Sequence, residues 1–265
     1  MSWLEALILG IVQGLTEFLP VSSSGHIELG KAIFGIHEAD SVTFTIVVHL
    51  ATVMSIITVF WKDIVQLVKS AFTFQKNEDN IFSIKLIISA IPVAILGFTL
   101  ADQIEKLFTG NALLVSIFLF ITGLVLIFAH FAKEKDKPLT FWDALIIGIA
   151  QAIAVLPGIS RSGATISTAL ILGKNKKEAA RFSFLMVIIP ILGIAAKDLY
   201  GNISNNSFTN EIGVLPLIIG FVASYVIGFI ACKWMIKLVQ NSKLIYFALY
   251  CFIVALTALL LVLFK

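Results

Sequence analysis

Three ionisable side chains, Glu17, His26 and Arg161, fall inside two serine- and glycine-rich loops that interrupt otherwise apolar sequence. The second loop reads Pro157-Gly158-Ile159-Ser160-Arg161-Ser162-Gly163-Ala164-Thr165. Glycines at 158 and 163 let the backbone turn tightly and present its N–H groups. A helix starting near Ser162 points its positive N-terminus into the same space. The hydroxyls of Ser160, Ser162 and Thr165 add donors, and Arg161 adds a planar fork matched to phosphate. Together these are the parts of an anion clamp, best suited to a phosphate group. The first loop, Glu17 to His26, has a different chemistry. Ser22-Ser23-Ser24-Gly25 supplies hydroxyls and a second helix N-terminus, and His26 can act as general acid, general base or nucleophile near neutral pH. Glu17 can orient that imidazole, activate water or hold a divalent cation. Gln13, one turn earlier on the same helical face, can add an amide oxygen to a metal shell, position a ligand, or bond to a neighbouring helix.

The elements that must carry these loops are membrane helices. The chain has 265 residues, of which 59% are hydrophobic and 13% charged, with a mean hydropathy of +1.01. Soluble domains are about 45–50% apolar and about 25% charged. So little charge cannot cover a globular surface, which excludes a soluble enzyme, a disordered chain, a nucleic-acid binder and a disulfide scaffold. Six stretches suit spans of about 20 residues: 41–60, 84–101, 112–131, 179–197, 213–232 and 244–264. Two more apolar regions, 3–36 and 141–173, are broken by the polar loops. Each reads as half-helix, loop, half-helix, the pattern of a re-entrant hairpin buried in protein or lining a wet cavity.

These hairpins match each other at an offset of 138 residues. Ala6-Leu7-Ile8 corresponds to Ala144-Leu145-Ile146, Gly10-Ile11 to Gly148-Ile149, and Gln13 to Gln151. Ser22, Ser24 and Gly25 correspond to Ser160, Ser162 and Gly163. The expected fold is therefore an all-α polytopic membrane protein built as a tandem repeat, residues 1–135 and 136–265, within a single membrane domain. Each repeat holds one re-entrant hairpin and three spans. Three is odd, so the second repeat must be inverted, and the two polar tips should meet at the repeat interface. Fourteen of the nineteen Lys and Arg then gather on one face, among them Lys62, Lys69, Lys133, Lys137 and Lys174. That face is expected to be cytoplasmic, with both termini outside. The cluster Lys174–Arg181 suits a lipid headgroup, although ordinary positive-inside topology accounts for it as well.

A charge at membrane depth costs ~2.5–3.5 kcal/mol on insertion scales, so Glu17 and Arg161 need a reason to be there. Structural pairing across the repeat interface is one; catalysis is the other. The tips are unequal: half two has Val155 and Ala164 where half one has Glu17 and His26, and half one has Ser23 where half two has Arg161. An inverted-repeat transporter or lipid flippase, the rival expectation, has no evident use for that division. Phosphoryl chemistry does, because it needs a clamp on the transferring group and a separate nucleophile or base. His49, inside a span, reads as a packing histidine. Glu28 reads as a residue assisting the first loop, and Cys232 and Cys251 as packing.

Gln13-Gly-Leu-Thr-Glu17-Phe-Leu-Pro-Val-Ser-Ser-Ser-Gly-His26 and Pro157-Gly-Ile-Ser-Arg161-Ser-Gly-Ala-Thr165 resemble the two signatures of the bacterial undecaprenyl-diphosphate phosphatases, the bacitracin-resistance family. Length, span number and motif placement fit over the whole chain. The resemblance implies hydrolysis of undecaprenyl diphosphate to undecaprenyl phosphate and inorganic phosphate, recycling the lipid carrier for cell-wall glycan export. It implies a calcium or magnesium ion, held by Glu17 with Gln13, and a site open to the extracytoplasmic side of the bacterial cell membrane. Resistance to bacitracin would follow from depletion of the lipid that the antibiotic sequesters. The expected catalytic set is Glu17, Ser23, His26 and Arg161, with Ser22, Ser24, Gly25, Ser160, Ser162, Gly163 and Thr165 around the substrate. Attack by Ser23, by His26, or by water activated at His26 stays open. The expected partners are the polyprenyl diphosphate and the bilayer, without nucleic acid and with a homodimer as an option.

Overall fold

The computed structural model describes all residues except 36–38, 74–76, 108–110, 134, 205–212, 241–243 and 264–265, and all side chains of the remainder except those of 39–42, 102, 105, 198–204 and 240. Residue 36 of the first hairpin and residue 264 of the last span therefore lie outside the described residues.

Among the described residues the regular structure is helical throughout. In chain order the helices are α1 (Trp3–Thr16), α2 (Ser23–Phe34), α3 (Ala39–Val59), α4 (Trp61–Ala71), α5 (Glu78–Thr99), α6 (Ala101–Glu105) and α7 (Ala112–His130). The second half continues with α8 (Phe141–Ile153), α9 (Arg161–Ile171), α10 (Lys176–Met186), α11 (Ile188–Ser204), α12 (Val214–Gln240) and α13 (Leu244–Leu263). Four helices, α5, α7, α12 and α13, are long and apolar enough to cross a membrane, as is the α10–α11 run over Lys176–Lys197. A sixth span exists if α3 and α4 are taken together, although they meet at 81°. The outer faces of these helices stay apolar and uncovered: Phe98 is 84% exposed and Phe128 69%. Only a hydrocarbon solvent makes such a surface favourable.

The two broken regions fold by the same local rules. Ser2 and Glu5 form a capping box at the start of α1, and Thr140 and Asp143 form one at the start of α8. Each box satisfies backbone N–H groups that the first turn leaves without partners. Ser22 caps α2 by accepting from Gly25 N at 3.2 Å, and Ser160 caps α9 by accepting from Gly163 N at 3.0 Å. Left-handed glycines follow both second helices, Gly35 at φ 65° and Gly173 at φ 83°. All of these pairs keep the 138-residue offset. Both turns thus use one piece of local chemistry written twice.

Tertiary packing exchanges the halves. Helix α1 packs on α12, α8 on α5, and α7 on α13. The first two contacts are backbone-close. A Cβ on Gly10 would stand 2.6 Å from Gly220 O, and one on Gly148 would stand 2.5 Å from Ser89 O. Any larger residue would push the helices apart. At the centre, buried Phe18 meets Phe184 edge-on with ring centroids 5.9 Å apart, and Phe60 joins them. Phe18 directly follows Glu17, so this apolar core fixes the depth of the first polar loop.

Candidate active site

The two polar loops touch. Ser162 Oγ donates to Leu19 O at 3.0 Å, and a Cβ on Gly25 would approach Gly158 Cα at 3.1 Å. Gly158 is required by its own turn: it has φ 103°, and a Cβ there would lie 2.7 Å from Val115 O. Thr122, on α7, holds this turn from behind. Its hydroxyl donates to Gly158 O at 3.1 Å and accepts from Ser160 N at 3.0 Å.

Glu17 lies at the centre of the contact with its side chain 5% exposed. Its Oε1 accepts from Arg161 Nη2 at 2.6 Å. Its Oε2 accepts from Ser23 Oγ at 2.7 Å and from Gln13 Nε2 at 3.0 Å. His49 Nε2 stands 3.8 Å from that same oxygen. Arg161 is further fixed by donation from Nη1 to Ser183 O at 3.2 Å. One carboxylate thus contacts a hydroxyl of its own loop and a guanidinium 144 positions away, and the anchored geometry limits what reorganisation a reaction would need.

A profile of the family described as "Bacitracin resistance protein BacA" matches residues 6–257. The chain belongs to the bacitracin resistance protein BacA family. Among its relatives is a protein of Parabacteroides distasonis named undecaprenyl-diphosphatase, 50% identical over 260 residues, 98% of each chain. One of the same name from Christiangramia forsetii is 50% identical over 258 residues, 97% of each chain. Another from Carboxydothermus hydrogenoformans is 41% identical over 264 residues, 98% of each chain.

Within this BacA-family site the residues anticipated from sequence divide into two groups. Ser23, Ser24, His26 and Arg161 keep partial access, whereas Ser22, Ser160, Ser162 and Thr165 are buried. The buried hydroxyls are already engaged. Ser160 caps α9, Ser162 bonds to Leu19 O, and Thr165 donates to Arg161 O at 2.9 Å while lying beside Ser183 Oγ. They shape the clamp from within. The first turns of α2 and α9 retain the backbone N–H groups of Ser23, Ser24, Arg161 and Ser162, which have no acceptor within their own helices. Such free N–H groups at two helix N-termini, with the Arg161 guanidinium, are donors of the kind that bind a multiply charged oxyanion.

His26 is placed differently from one of its expected roles. Its Nδ1 lies 2.8 Å from Ser22 O and its Nε2 lies 2.8 Å from Tyr250 OH on α13, the two ring planes being nearly parallel at 6°. These partners, rather than Glu17, orient the imidazole. Ser22 itself has φ 68° and ψ 92°, a strained conformation for a serine that survives because the surrounding bonds over-determine it. Glu28 is buried and pairs with Lys31 at 2.9 Å. The basic cluster is also engaged: Lys174 reaches Asp143 at 2.6 Å, and Arg181 reaches Asp63 at 2.7 Å. Ser183 and Tyr250 give no local signal in the sequence, being a serine and a tyrosine in apolar runs. His49 does give one, as a histidine within a span, but packing is the simpler account of it.

Proposed function

We propose that the protein is a membrane phosphatase that hydrolyses undecaprenyl diphosphate to undecaprenyl phosphate and inorganic phosphate, returning the lipid carrier to cell-wall synthesis. The observation that carries this reading is the contact of Ser23 Oγ and Arg161 Nη2 with the two oxygens of one buried carboxylate, at 2.7 and 2.6 Å. The relatives' name, undecaprenyl-diphosphatase, supplies the substrate.

The chemistry follows from the placement. A terminal phosphoryl group bound by Arg161 and the four N-terminal amides takes over the guanidinium from Glu17. The carboxylate is then free to accept the Ser23 proton. Ser23 Oγ forms a bond to the terminal phosphorus as the bond to the bridging oxygen breaks, and undecaprenyl phosphate leaves. Water then cleaves the phosphoserine, releasing inorganic phosphate and restoring the hydroxyl. His26, oriented by Ser22 O and Tyr250, is the nearby group suited to move the proton of the leaving oxygen or of that water.

A divalent cation fits the donor set. Glu17 offers a carboxylate, and Gln13 Oε1 is buried with no hydrogen-bond partner. Both are hard oxygen ligands of the kind calcium and magnesium take, with phosphate oxygens completing the shell. Among the described residues no group of three or more His, Cys, Asp or Glu could hold an ion alone, which suits an ion that arrives with substrate. When bound it would neutralise charge on the phosphate oxygens.

The same reading extends to architecture. The halves form an inverted repeat with α1–α2 and α8–α9 as re-entrant hairpins, the active site facing the extracytoplasmic side and both termini outside. The repeated caps at one offset and the exchanged packing of α1 on α12 and α8 on α5 support it. Purified protein in detergent, given undecaprenyl diphosphate with calcium or magnesium, should release phosphate, and chelation should stop it. Absence of release with both ions supplied would end the enzyme reading.

A further inference from the structure

The segment after the first span carries three helical stripes rather than two. At 100° per residue, Phe60, Ile64 and Leu67 share one face, Trp61, Val65, Val68 and Phe72 a second, and Lys62, Gln66, Lys69 and Thr73 a third. The structure uses the first stripe as ordinary core: Phe60 and Leu67 are buried among the central apolar residues, with Ile64 packed against them. The second stripe is left uncovered. Trp61 is 59% exposed, Val68 51% and Phe72 76%. An apolar stripe about 100° round from the protein-facing one has no reason to persist in water.

The direction of α4 supplies the missing solvent. The chain bends by 81° between α3 and α4, so α4 runs across the end of a candidate span, not along it. A helix so turned lies parallel to the membrane surface, where an apolar stripe can enter the acyl boundary while a polar one faces the headgroups. The polar stripe is suited to that position. Lys62, Gln66 and Lys69 line a groove of about 490 Å³ between α4 and the start of α5, whose wall also includes Trp61 and Val65 at the edge of the apolar stripe. Asp79 also lines it, but its carboxylate accepts from Gln66 Nε2 at 2.8 Å. Asp63, the acid of α4 itself, is held by Arg181. Among the described residues neither lysine of the groove has an ion-pair partner. Within the basic cluster Lys174–Arg181, Lys174 is tied to Asp143 and Arg181 to Asp63, whereas Lys62 and Lys69 present their charge on α4 without a counter-ion among the described residues.

We propose that α4 is an interfacial helix, embedded by Trp61, Val65, Val68 and Phe72 in the lysine-rich face of the membrane, and that its Lys62–Lys69 groove binds the phosphate of anionic lipid headgroups. Trp61 at the bend is a natural reporter because Trp3, Trp142 and Trp234 are all surface residues, replaceable by Phe to leave Trp61 as the sole tryptophan. The full-length protein is reconstituted in vesicles that contain either phosphatidylglycerol or phosphatidylcholine brominated in the acyl chains, and quenching of Trp61 is compared. Both lipids should quench it, and phosphatidylglycerol should compete better, by up to roughly thirtyfold at about fivefold per lysine. The preference should weaken with salt. Lys62→Gln/Lys69→Gln should bring the two lipids within about twofold of each other while leaving helicity and phosphate release unchanged. No quenching by either lipid would place α4 outside the bilayer and overturn the proposal. Equal quenching in the parent protein, or a preference surviving in the double variant, would overturn the headgroup site.

Discussion

Arg161 and Glu17 hold each other at 2.6 Å with side chains 14% and 5% exposed, so deleting Arg161 strands a buried carboxylate. Breaking such a buried pair costs about 3–5 kcal/mol. Arg161→Ala should therefore lower the melting temperature as well as activity, whereas removing Ser23 forfeits one hydrogen bond to a charged group, about 1.5–3 kcal/mol at most. Differential scanning fluorimetry on both variants checks the order, with Arg161→Ala the less stable. Rapid-quench mass spectrometry during turnover should find phosphate on Ser23, and a label on His26 instead would reassign the nucleophile. Scarcity of charge makes Glu17 and Arg161 conspicuous in the sequence itself, because a membrane chain exposes each exception. The partners that aim them are not legible there. Ser183 O is a backbone atom, which any residue type would supply, and Tyr250 meets His26 across 224 positions of sequence.

The helices themselves are readable because spans are set by composition and length. Their breaks are not, since an apolar run has the same composition straight or bent. Hydropathy alone suggests one span over 41–60 and another over 179–197. Candidate spans lie at both places, but nothing in the hydropathy announces the 81° turn after Val59 into α4 or the helix break at Val187 between α10 and α11. Glycine spacing carries more than repeat matching: Gly10 and Gly148 correspond as repeat partners, and each proves to be where a helix backbone meets the opposite half. Gly148→Ala should cost about 1–3 kcal/mol through overpacking against Ser89 O, read as a lower melting temperature. Its loss of activity should be smaller than that of Arg161→Ala, because the displaced contact lies between α8 and α5. A harmless substitution there would mean that α5 leaves room for a Cβ at Gly148, where the structure puts Ser89 O only 2.5 Å from its ideal position.

For the molecule as a whole, a site assembled from residues 144 positions apart is held by two similarly capped turns, as the proposed repeat would supply. The Ser22 and Ser160 caps are the feature the two turns share, and Glu17 and Arg161 are where they differ. The opposite orientation proposed for the halves predicts a labelling pattern. Single cysteines at Ser2 and Lys106 should react with an impermeant thiol reagent in intact cells, and those at Lys69 and Lys137 only after permeabilisation; Cys232 and Cys251 are buried. Reaction of all four from outside would contradict the inverted repeat. The central claim, that diphosphate hydrolysis occurs where the two turns meet, is tested most directly by phosphate release from undecaprenyl diphosphate by purified wild type, Glu17→Gln, Ser23→Ala and Arg161→Ala. A loss of at least about a thousandfold is expected in each variant, since each removes a group acting on the transition state. Retention of activity within about threefold of wild type by a folded Ser23→Ala or Arg161→Ala protein would contradict it.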